Sequence, residues 1–563
     1  MTARQPGPGS VDEFAVTTGG APDPGDATWE DAPAPAVSPS EGVTPVPAAR
    51  SVRRYTAQVA RRRSGAGLGE VLGDVYYAAV TTAIGLGVAL GVAGQLRTSL
   101  PHVPDQALST GVSLPTVVAV VAVLVGGAVL SLGARLGPVG AGGAEATWWL
   151  GSPVDRRGLL RPTARRLPVA AGVVGAVAVA LLDGGLLADH GIGHVLRIGA
   201  AAGLACAALV LLAGLAQSRG VPRRTTAVVG DLVVAAAPVL ALVAALAGWR
   251  VTALPDVPAA VLGVLVLAVG GLAWWLDTRL GRIRGRHLRE SGSVATQAAG
   301  AVVSLDSREL GRALSDSAAR PRRRSVRRMR LVRGPVSAVV VADLTVLLRS
   351  PRHLVQLVVS ALVPVVVVVT PQLAGVLGVV AAVLVSGYVG MLATAEGARR
   401  AEMAPVVDRL LPLSAARVRR ARLVVPGVAM LLWSVVAFTA IGRWEGEPVP
   451  WLVLGAVSAP VWAGAAVRGA YRPAPNWQGP LVSTPMGALP GGVAGVLSRG
   501  PDVAVLGMVP VVICVALGTV VPTLVVVQAV ASAIALAFGS STSTKTMMDR
   551  LAEATEPEKG GGR

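Results

Sequence analysis

The chain has 563 residues, a mean hydropathy of +0.62, 53% hydrophobic residues and 15% charged ones, against roughly 25% charged in ordinary soluble domains. The apolar residues are mostly Ala, Val, Leu and Gly in runs too long for a soluble core, which excludes a soluble globular protein and predicts an all-α polytopic membrane protein. The net charge of +19 is almost wholly arginine, since Lys545 and Lys559 are the only lysines. These arginines flank apolar runs, so they read as topology signals and headgroup contacts, and no nucleic-acid partner is expected.

In chain order, residues 1–50 are rich in Pro, Ala, Gly, Ser, Asp and Glu and are expected to be a disordered tail with no signal peptide. SVRRYTAQVARRRS, after Arg50, is basic and suits a short surface helix. Twelve runs near the roughly 20 residues of a membrane helix follow. The first six are about 75–94, 115–134, 167–187, 198–216, 227–248 and 258–276. The second six are about 353–371, 373–393, 423–441, 449–467, 502–517 and 519–538. In the tract 502–538, Gly518 and Pro522 leave open two short spans, a re-entrant pair or one kinked helix. Alternate loops are arginine-rich, including Arg135 to Arg166 after the second run and Arg399 to Arg422 after the eighth. The others carry one arginine or none. That alternation predicts a plasma-membrane protein with both termini, and the tail 541–563, in the cytoplasm.

The two runs of six form halves, 51–276 and 336–540, separated by a basic linker, 277–335. The segment 277–352 alone holds 17 arginines and no lysine. Within it, DTRLGRIRGRHLRE reads as a stalk, Asp306 and Glu309 have capping-box spacing, and RPRRRSVRRMRLVRG is a solvated charge run. PVSAVVVADLTVLLRSPR then gives an interfacial amphipathic helix. Val336, Val339, Val340, Leu344, Leu347 and Leu348 form its apolar face, with Asp343 and Arg349 off that face. The halves also share an inside loop. With Pro153 placed over Pro412, both loops read as a hydrophobic pair, a proline, a polar turn, a basic helix and the next span, and Arg161 falls on Arg420. Two parallel six-span repeats are the expected arrangement.

The sequence has no phosphate-binding Gly-rich loop, no metal-ligand spacing and no nucleophile motif, so no catalytic residue, metal or cofactor is expected. Cys206 and Cys514 lie in apolar runs. His190 and His194 read as a solvent-exposed pair. Asp183 and Asp231 lie near span ends, where capping or water contact satisfies them. Gln528, the deepest strongly polar side chain, suits an interhelical hydrogen bond. A chain with no titratable group at mid-span suits a transporter driven from outside the membrane.

Three stretches together resemble the membrane subunit of a type 2 ABC exporter. AVVVADLTVLLRSPRHLVQ, starting at Ala338, is similar to that family's amphipathic helix before a six-span unit. LLPLSAARVRRARL, 410–423, is similar to its cytoplasmic turn, and WWLGSPVDRRGLLR, 148–161, looks like the first-half version. The resemblance implies a separate cytoplasmic ABC-type ATPase and no enzyme activity in this chain. It places the coupling surface on Pro153, Asp155, Arg156, Arg157, Arg161, Pro412, Arg417, Arg419 and Arg420. It makes Asp343, Leu344, Leu347, Leu348 and Arg349 the interfacial helix. Membrane lipids are expected partners, and dimerisation is left open. The first half departs from the pattern, because ARRRSGAGLGEVLGD is too Gly-rich for a clear amphipathic helix. The chain also lacks a large extracellular domain. The alternatives are a twelve-span proton-coupled secondary transporter, supported by Gly151-x-x-x-Asp155-Arg156-x-Gly158, and a non-transporting membrane scaffold.

Overall fold

A computed structural model describes residues 48–64, 68–99, 112–187, 191–249, 251, 253–303, 310–311, 313–314, 330–471, 481–484, 487–490 and 500–541. The first half contains α1 (Ala49–Ser64), α2 (Leu68–Ser99), α3 (Leu114–Leu136), α4 (Gly143–Trp148), α5 (Arg156–Leu186), α6 (Ile192–Ser218), α7 (Arg223–Leu246) and α8 (Ala259–Arg279). α9 (Gly285–Val303) follows. The second half contains α10 (Pro335–Arg349), α11 (Pro351–Val368), α12 (Val376–Thr394), α13 (Glu396–Met403), α14 (Pro405–Arg409), α15 (Ala415–Arg422), α16 (Val424–Glu445) and α17 (Pro448–Ala470). After these come α18 (Pro501–Gly507), α19 (Val509–Leu517) and α20 (Pro522–Ser540). One antiparallel hairpin, β1 (Leu481–Thr484) with β2 (Gly487–Pro490), is the only sheet among the described residues.

Ten helices among the described residues are long and apolar enough to cross a membrane, with shorter apolar helices at Thr82–Gly91 and Pro501–Leu517. These twelve segments fall on the twelve predicted runs, and the chain is a polytopic all-α membrane protein in two six-helix halves. Local chemistry sets the helix ends. Ser113 caps α3 through its side chain and Pro115 sits in the first turn. Gly446 (φ 84°) ends α16 in the left-handed region. The tract 502–538 resolves into one short apolar segment, Pro501–Leu517, made of α18 and α19, and α20, which packs back on it. Gly518 takes φ 67° after α19, and Pro522 starts α20.

The helix-neighbour pattern of the first half recurs in the second. α5 packs on α6 as α16 packs on α17, and α6 packs on α8 as α17 packs on α20. α2 packs on α5 as α11 packs on α16, while α3 meets α5, α6 and α7 as α12 meets α16, α17 and the α18–α19 pair. Neighbours run in alternating directions, so helix ends meet at two levels. At the arginine-rich level, Arg135 ending α3 pairs with Asp231, in the third turn of α7, at 2.6 Å. Arg468 ending α17 pairs there with Asp502 starting α18 at 3.1 Å. At the opposite level, Ser113 donates to the Val251 carbonyl at 2.7 Å. The halves meet along α7 and α11, and the Val112 amide donates to the Val369 carbonyl at 3.0 Å.

Four expectations change. The helix that SVRRYTAQVARRRS suited is present ahead of the first span, but it is packed on the bundle and does not simply lie on the surface. α1 packs against the start of α5, and it lies upstream of the Gly-rich stretch, with Val52, Thr56 and Val59 half-buried along one side. Part of the expected linker is folded onto the first half. Leu288 of α9 is fully buried, and its carbonyl accepts from the Ala141 amide at 3.0 Å. Gly292 lies so close to Ala141 that a Cβ would collide with its carbonyl. His194 is not solvent-exposed, with a side chain only 13% exposed that stands 3.4 Å from Asp256 and 3.9 Å from Asp183. Asp231 is buried in its ion pair, where Ser131 donates to its second oxygen at 2.5 Å. Residues 1–47 and 542–563, His190, Asp306 with Glu309, and most of the charge run lie outside the described residues.

Candidate functional site

The two Pro-containing turns emerge at the arginine-rich level, and their aligned positions do the same local work. Asp155 caps α5 by accepting from the Arg157 and Gly158 amides at 3.0 and 2.9 Å. Ser414, aligned with it, caps α15 by accepting from the Arg417 amide at 3.4 Å. A short acceptor side chain at this place satisfies amides that have no helical partner. Pro153 and Pro412 are both exposed, as are Arg161 and Arg420, while the aligned Leu159 and Val418 are both buried. The apolar side fixes each basic helix, and the arginine side faces outward.

Each turn is fastened to the last helix of its own half. In the first half, Arg157 and Arg161 converge on Asp277 near the end of α8, with nearest distances of 2.5 and 2.6 Å. Arg156 donates to the Leu150 carbonyl at 3.2 Å, which closes the turn. In the second half, Arg419 donates to the Ser541 carbonyl just past α20. Its guanidinium also stacks 4.4 Å from the Tyr471 ring centre. Arg417 and Arg420 stay exposed.

Among the described residues, the interfacial helix is ion-paired to the second of these turns, through a residue placed on the wrong face by sequence. The buried stripe of α10 is Val339, Asp343 and Leu347, four residues apart, while Val336 and Leu348 are 46% and 40% exposed. Asp343 is therefore on the inward face, Leu344 is half-buried and Arg349 is exposed. The reason is Arg422. Its guanidinium donates to Asp343 Oδ1 at 2.7 Å, to the Gly397 carbonyl at 3.3 Å and to Asp408 Oδ1 at 2.7 Å. A carboxylate can face inward when a buried guanidinium meets it there. Gly397 makes the approach possible, because a Cβ there would strike the Asp343 carboxylate. Burial pushes the Asp343 carboxyl up to about 6, against the opposing pull of Arg422.

Sequence reasoning missed Arg422, Asp408, Asp277 and Gly397. Two signals were available. Asp343 interrupts an apolar face and so requires a cation, and Asp277 is the lone carboxylate at the end of an apolar run followed by arginines. Gln528 matches its expectation, since its amide donates to the Gly507 carbonyl at 2.9 Å between α20 and α18. Among the described residues, no group of three or more His, Cys, Asp or Glu side chains could hold a metal ion. The arrangement offers charge and mechanical linkage, with two exposed arginine-bearing turns each locked to a helix bundle.

No curated protein and no solved structure is similar to the chain. Residues 105–480, which carry both turns and the interfacial helix, match a family described as a family of unknown function, DUF6297, and the chain belongs to that family.

Proposed function

We propose that this chain is the membrane-embedded permease component of an ATP-driven exporter, powered by a separate cytoplasmic ABC-type ATPase. It sits in the plasma membrane with both termini and the arginine-rich level in the cytoplasm. The observation that carries this reading is the duplication of one device. Both halves present an exposed Pro-turn and capped basic helix at the same level, each tied to the last helix of its half. A partner that pushes on residues 150–161 and 410–422 therefore moves helices, not loose loops. The Asp343–Arg422–Asp408 cluster passes the same push to the interfacial helix at 336–349.

Purification from native membranes tests the reading. An ATPase should co-purify, and its turnover should change when the exposed Arg417 and Arg420 are replaced by alanine. Transport in vesicles that follows a proton gradient without ATP would replace this reading with a secondary transporter. Absence of both an ATPase partner and any flux would leave a scaffold.

A further inference from the structure

In the second half, α16, α17 and α20 form a groove with a volume of about 230 Å³. Leu423, Gly427 and Leu431 line it from α16, Ala459 and Ala463 from α17, and Leu536 from α20. Ala459 and Ala463 are buried, whereas Leu431 is 39% exposed, so the groove opens away from the bundle core. Its lining has no polar side chain. Pro460, also on the lining, interrupts the hydrogen-bond ladder of α17, and Ser532 of α20 donates to the nearby Val457 carbonyl at 2.5 Å. The interior of the groove therefore suits hydrocarbon.

Its length and width narrow the choice. From Leu423 to Leu431 the helix rises about 12 Å, and the hydrocarbon of one leaflet is about 15 Å deep. The groove starts where α16 begins, at the arginine-rich level, so it lies within the leaflet on that side. A volume of about 230 Å³ over that length is too narrow for a helix about 10 Å across, but it admits one acyl chain.

The end at the arginine-rich level is charged. α15 and α16 run on through Leu423 (φ −72°, ψ −22°) as one 31-residue helix, Ala415–Glu445. Arg417, Arg420, Leu423, Gly427 and Leu431 are three or four residues apart, so they share one face, with neighbouring Cβ atoms about 5–6 Å apart. Arg417 and Arg420 are exposed, and among the described residues neither side chain has an ion-pair partner. Arg419 pins the same turn of helix, donating to the Ser541 carbonyl past α20 and stacking 4.4 Å from the Tyr471 ring centre past α17. Two guanidiniums thus stand at a fixed place above an apolar slot, which is the charge pattern of an anionic lipid in reverse.

We propose that this groove binds one anionic phospholipid, with an acyl chain between α16, α17 and α20 and its phosphate on Arg420 and Arg417. This gives two arginines of the coupling turn a second role, and it stands without the permease reading.

The test uses the full-length chain in nanodiscs and a phosphatidylglycerol with a photoreactive diazirine in its acyl chain, beside a phosphatidylcholine carrying the same chain. Mass spectrometry of the digested protein locates the adducts. Phosphatidylglycerol adducts should concentrate on residues 423–431 and 456–463, about tenfold above those of phosphatidylcholine. A Cβ at Gly427 would meet only Ala463, at 3.9 Å, so Gly427→Leu fills the groove and should lower the adducts by about tenfold. Gly263→Leu, on α8 where a Cβ meets nothing within 4 Å, should leave them unchanged. Arg417→Gln combined with Arg420→Gln should bring phosphatidylglycerol down to the phosphatidylcholine level. Both positions are exposed, so this variant decides the question if Gly427→Leu does not fold. Adducts as dense on α8 as on the groove would mean general bilayer contact and overturn the proposal. Equal labelling by the two lipids in the wild type, or unchanged labelling in a folded Gly427→Leu, overturns it as well. No ATPase takes part, so localised labelling without a co-purifying ATPase would sink the export reading alone, and an ATPase partner with unlocalised labelling would sink only this site.

Discussion

The two halves share one helix map and fill it with different chemistry. In the second half, Trp433, Trp451, Trp462, Phe438 and Met430 are fully buried in a single core, and the Trp433 and Trp462 rings meet edge-to-face at 6.1 Å. In the first half, helices approach through small residues. Gly203 faces Gly172 and Ala176, and Gly230 presses on the backbone of Ser131. Its core under the inner ends is aliphatic and smaller, and polar groups reinforce it, such as Gln217 donating to the Val139 carbonyl at 2.9 Å. The last helix of each half is the least covered, with 6% of the apolar window of α8 buried against 22% for α20. Close backbone approach and large interlocking rings are two ways to gain packing where lipid removes the hydrophobic drive between helices. The same topology therefore does not imply the same rigidity.

The largest expected effect tests that contrast. Trp433→Ala opens a cavity in the aromatic core and should destabilise the protein by about 3–5 kcal/mol. Gly230→Ala in the first half places a Cβ 2.5 Å from the Ser131 amide nitrogen and should cost about 1–3 kcal/mol by overpacking. Thermal unfolding in one detergent ranks the two. The reverse order would mean that the first half is the stiffer one.

The basic turns give the next contrast. Arg422→Ala leaves Asp343 buried without its cation and should cost about 3–5 kcal/mol, read as a lower melting temperature and a smaller folded fraction in size-exclusion chromatography. Arg161→Gln, at the exposed first-half pair, should leave the melting temperature unchanged. Equal shifts in the two variants would show that the first-half pair is not merely a surface contact.

A smaller effect is read from pH. The Asp343 carboxyl is raised from 3.8 to about 6 in the folded protein, so between those values the folded state binds the proton more readily than the unfolded chain does. Its contribution to stability is present below pH 4 and is lost as pH rises through about 6. The melting temperature should fall by a few degrees between pH 5 and pH 7 relative to Asp343→Asn, in which this slope disappears. A slope of opposite sign, or one that persists in Asp343→Asn, would refute the assignment.

Much of the fold was legible because hydrocarbon-length apolar runs leave few options, and the turn chemistry of Asp155 and Ser414 is local. The alignment of Pro153 with Pro412 was readable for the same reason. α1 was suggested by SVRRYTAQVARRRS, but its packing against α5 depends on Gly158 lying next to Ala49, which no local pattern reveals. Asp343 was misplaced because helical periodicity sorts residues by polarity, and its partner Arg422 is 79 residues away.

The sequence by itself determined the membrane class, the number and order of apolar helices, their alternating directions and the repeated capped turn, because each follows from composition or short-range spacing. The tertiary structure decided which carboxylate meets which arginine and that α9 folds back onto the first half. Those outcomes depend on which helix faces come together, and a desolvated charge is settled by its neighbours in space, not by its neighbours in the chain.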